Sequence, residues 1–180
     1  TLPGDKIDIG GYFLYLDCKG TGSPTVILES GLSGDVVTWK DVHPEAAKFT
    51  RVCRYDRTGL AHSDYGPTPR DAELTAQDLH TLLIKANITP PYILVGHSFG
   101  GLLIRRYAFD FPDEVAGMIF VDALHEAGER RARPQLNEVR KTLGQQVTNG
   151  LLPTHGAGYL RHHGVHDARG CAVRLGRDIC

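Results

Sequence analysis

Pro91-Tyr92-Ile93-Leu94-Val95-Gly96-His97-Ser98-Phe99-Gly100-Gly101 is the stretch whose reading decides the fold. Tyr92 to Val95 is a short apolar run of strand formers behind a proline, as expected of a buried parallel strand. Gly96-His97-Ser98-Phe99-Gly100 then matches G-x-S-x-G, and a helix is expected to open at Leu102. A serine on so tight a strand-to-helix turn sits in strained backbone, and its flanking positions must lack a Cβ for the chains to approach. The turn lifts the hydroxyl above the sheet edge. The backbone N–H groups of Ser98 and Phe99 are expected near the helix N-terminus, where positive partial charge can stabilise an oxyanion.

Upstream, Lys6-Ile7-Asp8-Ile9 and Tyr12-Phe13-Leu14-Tyr15-Leu16 flank Gly10-Gly11 and read as a hairpin. Thr25 to Glu29 is a third, more buried strand, and Ser30-Gly31-Leu32-Ser33-Gly34 follows its C-terminal end, where glycines let backbone N–H groups face a ligand. Trp39 to Phe49 reads as a short helix with Pro44 in its first turn. Arg51 to Tyr55 is the fourth strand, running into a polar loop in which Asp56 and Arg57 fit a structural ion-pair role better than a catalytic one. A helix follows from Asp71, with Leu79, Leu82, Leu83 and Ala86 at helical spacing and Thr75-Ala76-Gln77-Asp78 resembling a capping box near its start.

Downstream of Ser98 the helix is expected to stop at Phe111-Pro112, and Val115 to Val121 is a sixth, buried strand ending at Asp122. Strands alternating with helices predict an α/β fold, a mostly parallel sheet with flanking helices, and ligands beyond the carboxyl ends of the strands. Ser98, Leu32, Asp56 and Asp122 all fall at such ends. After Val121 the character changes. Residues 126–150 are expected to be helical, with an amphipathic helix over Pro134 to Val147 that sets Leu136, Val139, Leu143 and Val147 on one side. Residues 151–180 carry His155, His162, His163 and His166 with many glycines and no sustained apolar period. His162 and His166 have the spacing of two metal ligands on one helix face, but the surrounding glycines argue against that helix, and no metal is expected.

Composition excludes several functions. The 20 Lys and Arg nearly cancel the 21 Asp and Glu, so nothing calls for nucleic acid or an anionic membrane. No apolar run approaches a membrane span. The chain begins at Thr1 rather than Met, as a processed form or a fragment would. Four cysteines do not make a disulfide scaffold; Cys18 and Cys53 read either as buried thiols or as a bridge.

Taken together, residues 6–125 resemble the α/β-hydrolase superfamily, most closely its esterase and prolyl-aminopeptidase-like branch. The likeness rests on Ser30-Gly31-Leu32, Tyr55-Asp56-Arg57-Thr58-Gly59, Gly96-His97-Ser98-Phe99-Gly100 and Phe120-Val121-Asp122. It implies a serine hydrolase of small-molecule carboxylic esters or amides, working through an acyl-enzyme without metal or organic cofactor. Ser98 would be the nucleophile, the backbone N–H groups of Leu32 and Phe99 the oxyanion hole, and Asp122 a possible acid. A serine at this turn disfavours the superfamily's haloalkane dehalogenases and epoxide hydrolases, which use an aspartate there. The seventh and eighth strands, which carry the acid and histidine in most members, have no counterpart, and His125 lies too close to Asp122 for a family-like triad. His97 should turn away from Ser98 and serve packing. The chain therefore reads as truncated, or as frameshifted over its last thirty-odd residues, and as inactive in this form for want of a base. The alternative is a catalytically inactive hydrolase-like protein that binds a ligand or partner.

The resemblance also places the second strand beside the fourth, so that Cys18 and Cys53 can bridge if the register allows. A bridge favours an extracytoplasmic location, and free thiols a cytoplasmic one. By this reading residues 1–125 are the hydrolase core, 126–150 the start of a cap or lid, and 151–180 a disordered tail. Limited proteolysis is then expected to cut beyond residue 150 before it cuts the sheet; protection of that tail equal to residues 91–121 would refute the division.

Overall fold

The computed structural model describes residues 3–124 and the backbone of two short strands near the C-terminus. The chain divides into two units, one of residues 1–67 and 72–125, the other of residues 68–71 and 126–180. The first unit holds a six-stranded sheet. Its strands are β1 (Asp5–Asp8), β2 (Phe13–Lys19), β3 (Thr25–Glu29), β4 (Val52–Tyr55), β5 (Tyr92–His97) and β6 (Val115–Val121), in the order β1-β2-β4-β3-β5-β6. The pairs β1–β2 and β2–β4 are antiparallel, whereas β4–β3, β3–β5 and β5–β6 are parallel. The α/β class and the mostly parallel sheet thus agree with the sequence reading. In the second unit β7 (Ala172–Arg174) pairs antiparallel with β8 (Arg177–Ile179). The expected helical cap segment and the tail histidines lie outside the described residues.

Strand alternation sorts the core into two layers. Ile27, Cys53, Tyr92 and Leu94 point to one face, where they meet Leu79, Leu82 and Leu83 of α2 (Ala72–Lys85) and Ile104 and Tyr107 of α3 (Gly100–Asp110). Their sequence neighbours Leu28, Val52 and Val95 point the opposite way and pack on Trp39.

Three local expectations are corrected. Val36–Trp39 is a separate 3-10 turn, capped by Asp35, and α1 spans only Val42–Ala46. Pro44 lacks an N–H, so a continuous helix cannot run back from it to Trp39. α2 opens at Ala72, which puts Thr75 inside the helix; Asp78 accepts hydrogen bonds from Tyr12 (2.5 Å) and Thr58 (2.8 Å) instead of capping. β6 is not buried. It pairs only with β5 among the described residues, and Met118 to Val121 are all exposed.

Cys18 sits directly opposite Cys53 in the β2–β4 register and is bridged to it, with Cα atoms 4.1 Å apart. The bridge closes a loop of 35 residues and contributes about 3–4 kcal/mol by loop-entropy reasoning. Beside it lies a buried polar group. Asp17 accepts two hydrogen bonds from Arg54 (2.9 and 2.7 Å), and His43, wholly buried, places Nε2 3.0 Å from the Val52 carbonyl and Nδ1 3.7 Å from Asp17.

Burial, only partly offset by the Val52 hydrogen bond and Asp17, holds the His43 ring below its ordinary value of 6.5. The folded protein keeps the ring neutral while the unfolded chain takes up a proton, so this contribution is complete above 6.5 and is lost as pH falls below it. Thermal unfolding between about pH 8 and 5 should show wild type losing more stability than His43→Gln. Parallel curves for the two proteins would contradict this.

Candidate active site

β5 and α3 meet at a two-residue turn, Ser98 and Phe99. Ser98 has φ +52°, in the left-handed region that a side chain enters only under constraint. Both flanking glycines are required by contact. A Cβ on Gly96 would lie 2.7 Å from the Gly100 carbonyl oxygen, and one on Gly100 would lie 2.5 Å from that of Glu29. The first turn of α3 therefore abuts the end of β3, and the loop leaving β3 is carried over the serine. A Cβ built on Gly31 would stand 3.5 Å from Ser98 Cβ and 3.3 Å from His97 Nδ1. Between them is a cavity of about 350 Å³, lined by Gly31, Leu32, Ser33, Gly34, Thr38, His97 and Ser98.

The donors around this cavity differ from expectation in one respect. The Ser98 N–H is engaged, donating to the Val121 carbonyl at 3.2 Å, while the Ser98 carbonyl accepts from Gly101 (3.0 Å) and Leu124 (2.8 Å). Ser98 is thus tied to the end of β6 and cannot supply an oxyanion donor. The N–H groups of Leu32 and Phe99 have no acceptor among the described residues. Asp122 is exposed, just past β6, with φ +43°; it does not line the cavity. His97 packs edge-on to Trp39, as expected of a packing residue, yet it also faces the Ser98 cavity.

The other described histidines are engaged elsewhere. His62 Nδ1 lies 2.8 Å from Asp56, and His80 Nε2 lies 3.0 Å from Glu114. His125 and the tail histidines fall outside the described residues.

The loop of residues 30–36 is gripped from β4 and the segment behind it. Arg54 donates to the Val36 carbonyl (2.8 Å), and Asp56 accepts the Val36 N–H (2.7 Å). Arg57 donates to Glu29 and to the carbonyls of Ser30 (2.7 Å), Gly31 and Leu32 (2.9 Å). Tyr55 also donates to Glu29. Burial pushes the Glu29 carboxyl up, against the pull of the Arg57 guanidinium. The structural role read for Asp56 and Arg57 agrees with this, but Glu29 escaped the sequence reading. Its signal was available: a carboxylate closing the apolar run Thr25-Val26-Ile27-Leu28 must find a buried partner.

The family model of the alpha/beta hydrolase fold matches residues 24–174. The chain belongs to the α/β-hydrolase fold family. Among relatives of this chain, a protein of Hormonema carpetanum bearing the name "Probable transporter efuK" is 34% identical over 165 residues, covering 87% of this chain and 23% of its own. An AB hydrolase superfamily protein of Gibberella zeae is 29% identical over 153 residues, covering 79% of this chain and 48% of its own. The chain thus spans less than half the length of either relative. Among solved structures, the epoxide hydrolase CorEH superposes with a TM-score of 0.61 at 26% identity, over 67% of this chain and 42% of its own.

Gly100→Ala should test how tightly the turn is built. The clash with the Glu29 carbonyl is with backbone, so the variant is expected to lose about 1–3 kcal/mol, read as a lower urea midpoint at unchanged m. An unshifted midpoint would show that the turn has room to spare.

Proposed function

We propose that this α/β-hydrolase is a serine hydrolase of carboxylic ester or amide bonds in small molecules, working through an acyl-enzyme on Ser98. The observation that carries the reading is the left-handed Ser98 between β5 and α3, on a cavity shared with the residue 31–34 loop. Ser98 Oγ adds to the substrate carbonyl carbon as its proton passes to a base, and the π pair moves onto the carbonyl oxygen. That oxygen takes the N–H groups of Leu32 and Phe99, which are without acceptors among the described residues. Collapse of the adduct breaks the bond to the alcohol or amine, which leaves with a proton, and water then releases the acid. The route needs neither metal nor organic cofactor.

Asp122 is the candidate acid of the triad, and the base lies outside the described residues. The similarity to CorEH supports the hydrolase class; Ser98 in place of an aspartate favours acyl transfer over epoxide opening. The Cys18–Cys53 bridge supports an extracytoplasmic location.

The test is a fluorophosphonate adduct, read by intact mass on the 180-residue chain and on the longest open reading frame that contains it. One adduct is expected in a form that carries the base, and none in its Ser98→Ala variant, whose ester hydrolysis should fall by a factor on the order of 10⁶. An adduct that survives Ser98→Ala would overturn the assignment. No adduct in either form would favour a catalytically inactive hydrolase-like binding protein.

A further inference from the structure

We infer that Arg57 is a positioning residue for the oxyanion loop, aiming the Leu32 N–H at the Ser98 cavity. The inference rests on the serine-hydrolase reading for its consequence, but on hydrogen bonds alone for its geometry. In a trans peptide the C=O of one residue and the N–H of the next lie in one plane and point in opposite directions. Arg57 Nη2 binds the Gly31 carbonyl, so the Leu32 N–H must face away from the guanidinium. Arg57 also binds the Ser30 and Leu32 carbonyls, which fixes the peptide planes on either side. The loop passes beside the serine: Gly31, Leu32 and Ser98 line one cavity, and a Cβ on Gly31 would stand 3.5 Å from Ser98 Cβ.

The loop cannot hold this pose unaided. Gly31 and Gly34 give it backbone freedom, and its own bonds across the turn, Gly34 N–H to the Gly31 carbonyl (3.1 Å) and Ser30 Oγ to the Asp35 carbonyl (3.1 Å), leave the Ser30 and Leu32 carbonyls to Arg57. Two guanidinium nitrogens serve four acceptors here: Glu29 and Ser30 on Nη1, Gly31 and Leu32 on Nη2. A lysine ammonium has neither the planar fork nor the reach for all four. Glu29 makes the buried cation tolerable; both side chains are at most about a tenth exposed.

A merely structural ion pair would affect stability only, so the test separates the two roles. Arg57→Met leaves Glu29 buried without its cation, whereas the double variant Arg57→Met/Glu29→Gln removes both charges. Hydrogen–deuterium exchange of residues 30–34 and of the β5 strand, melting temperature, and the fluorophosphonate labelling rate are measured on each, with Arg57→Lys as the variant best able to fold. The expected result is a double variant that melts close to wild type. Its residues 30–34 exchange about tenfold faster or more while β5 is unchanged. Its Ser98 labelling slows by about 10²-fold or more, the cost of losing an oxyanion donor. Arg57→Lys should show the same pattern more mildly. Wild-type exchange and labelling in the double variant, or in Arg57→Lys should the double variant not fold, would overturn the inference. If no form labels at Ser98, the hydrolase reading fails, and loop exchange alone still decides whether Arg57 holds the loop.

Discussion

The buried Glu29–Arg57 pair is the contact on which the architecture around Ser98 depends. It joins the end of β3 to the segment behind β4, and the two strands are neighbours in the sheet. Such a pair adds little net stability, because desolvation offsets most of the attraction, but losing one partner strands a charge at about 3–5 kcal/mol. Its value is therefore geometric. Arg57 brings a dense cluster of donors to the carbonyls of Ser30, Gly31 and Leu32. Asp56 and Arg54 secure the far end of the same loop at Val36.

The strain at Ser98 has to be held by neighbours on every side. Residues in the left-handed region cost about 1–3 kcal/mol when they carry a side chain. The N–H and C=O of Ser98 bond to Val121 at the end of β6 and to Leu124 just past it, and Gly100 lies in contact with the end of β3. Across the sheet the Cys18–Cys53 bridge and the Asp17–Arg54 pair clamp β2 to β4. β4 and the segment behind it in turn carry the groups that hold the residue 30–36 loop. The serine, the loop and the buried ion pairs thus form one connected structure.

Much of this was legible because it is local. The strand-turn-helix around Ser98 is written in adjacent residues, and α2 in the spacing of Leu79, Leu82 and Leu83, all buried in the structure. Readings failed where distant residues compete for a group. Thr75 to Asp78 looks like a cap in isolation, but Asp78 belongs to Tyr12 and Thr58. The Ser98 N–H looks like an oxyanion donor until Val121 takes it. β6 is as apolar as a buried strand, yet burial depends on what lies alongside, and in the described sheet that is β5 alone.

The sequence by itself determined the fold class and the strand–turn–helix around Ser98, since both follow from periodicity and from glycines that a tight turn cannot do without. Through the family resemblance it also set Cys18 and Cys53 on neighbouring strands. Only the tertiary structure decided that they face each other, because register is set by pairing across the sheet and no run of adjacent residues encodes it. The same holds for Glu29 and Arg57. They are far apart in sequence and nothing there matches one to the other, and they become a site-shaping pair only when parallel β3 and β4 carry their ends to the same edge.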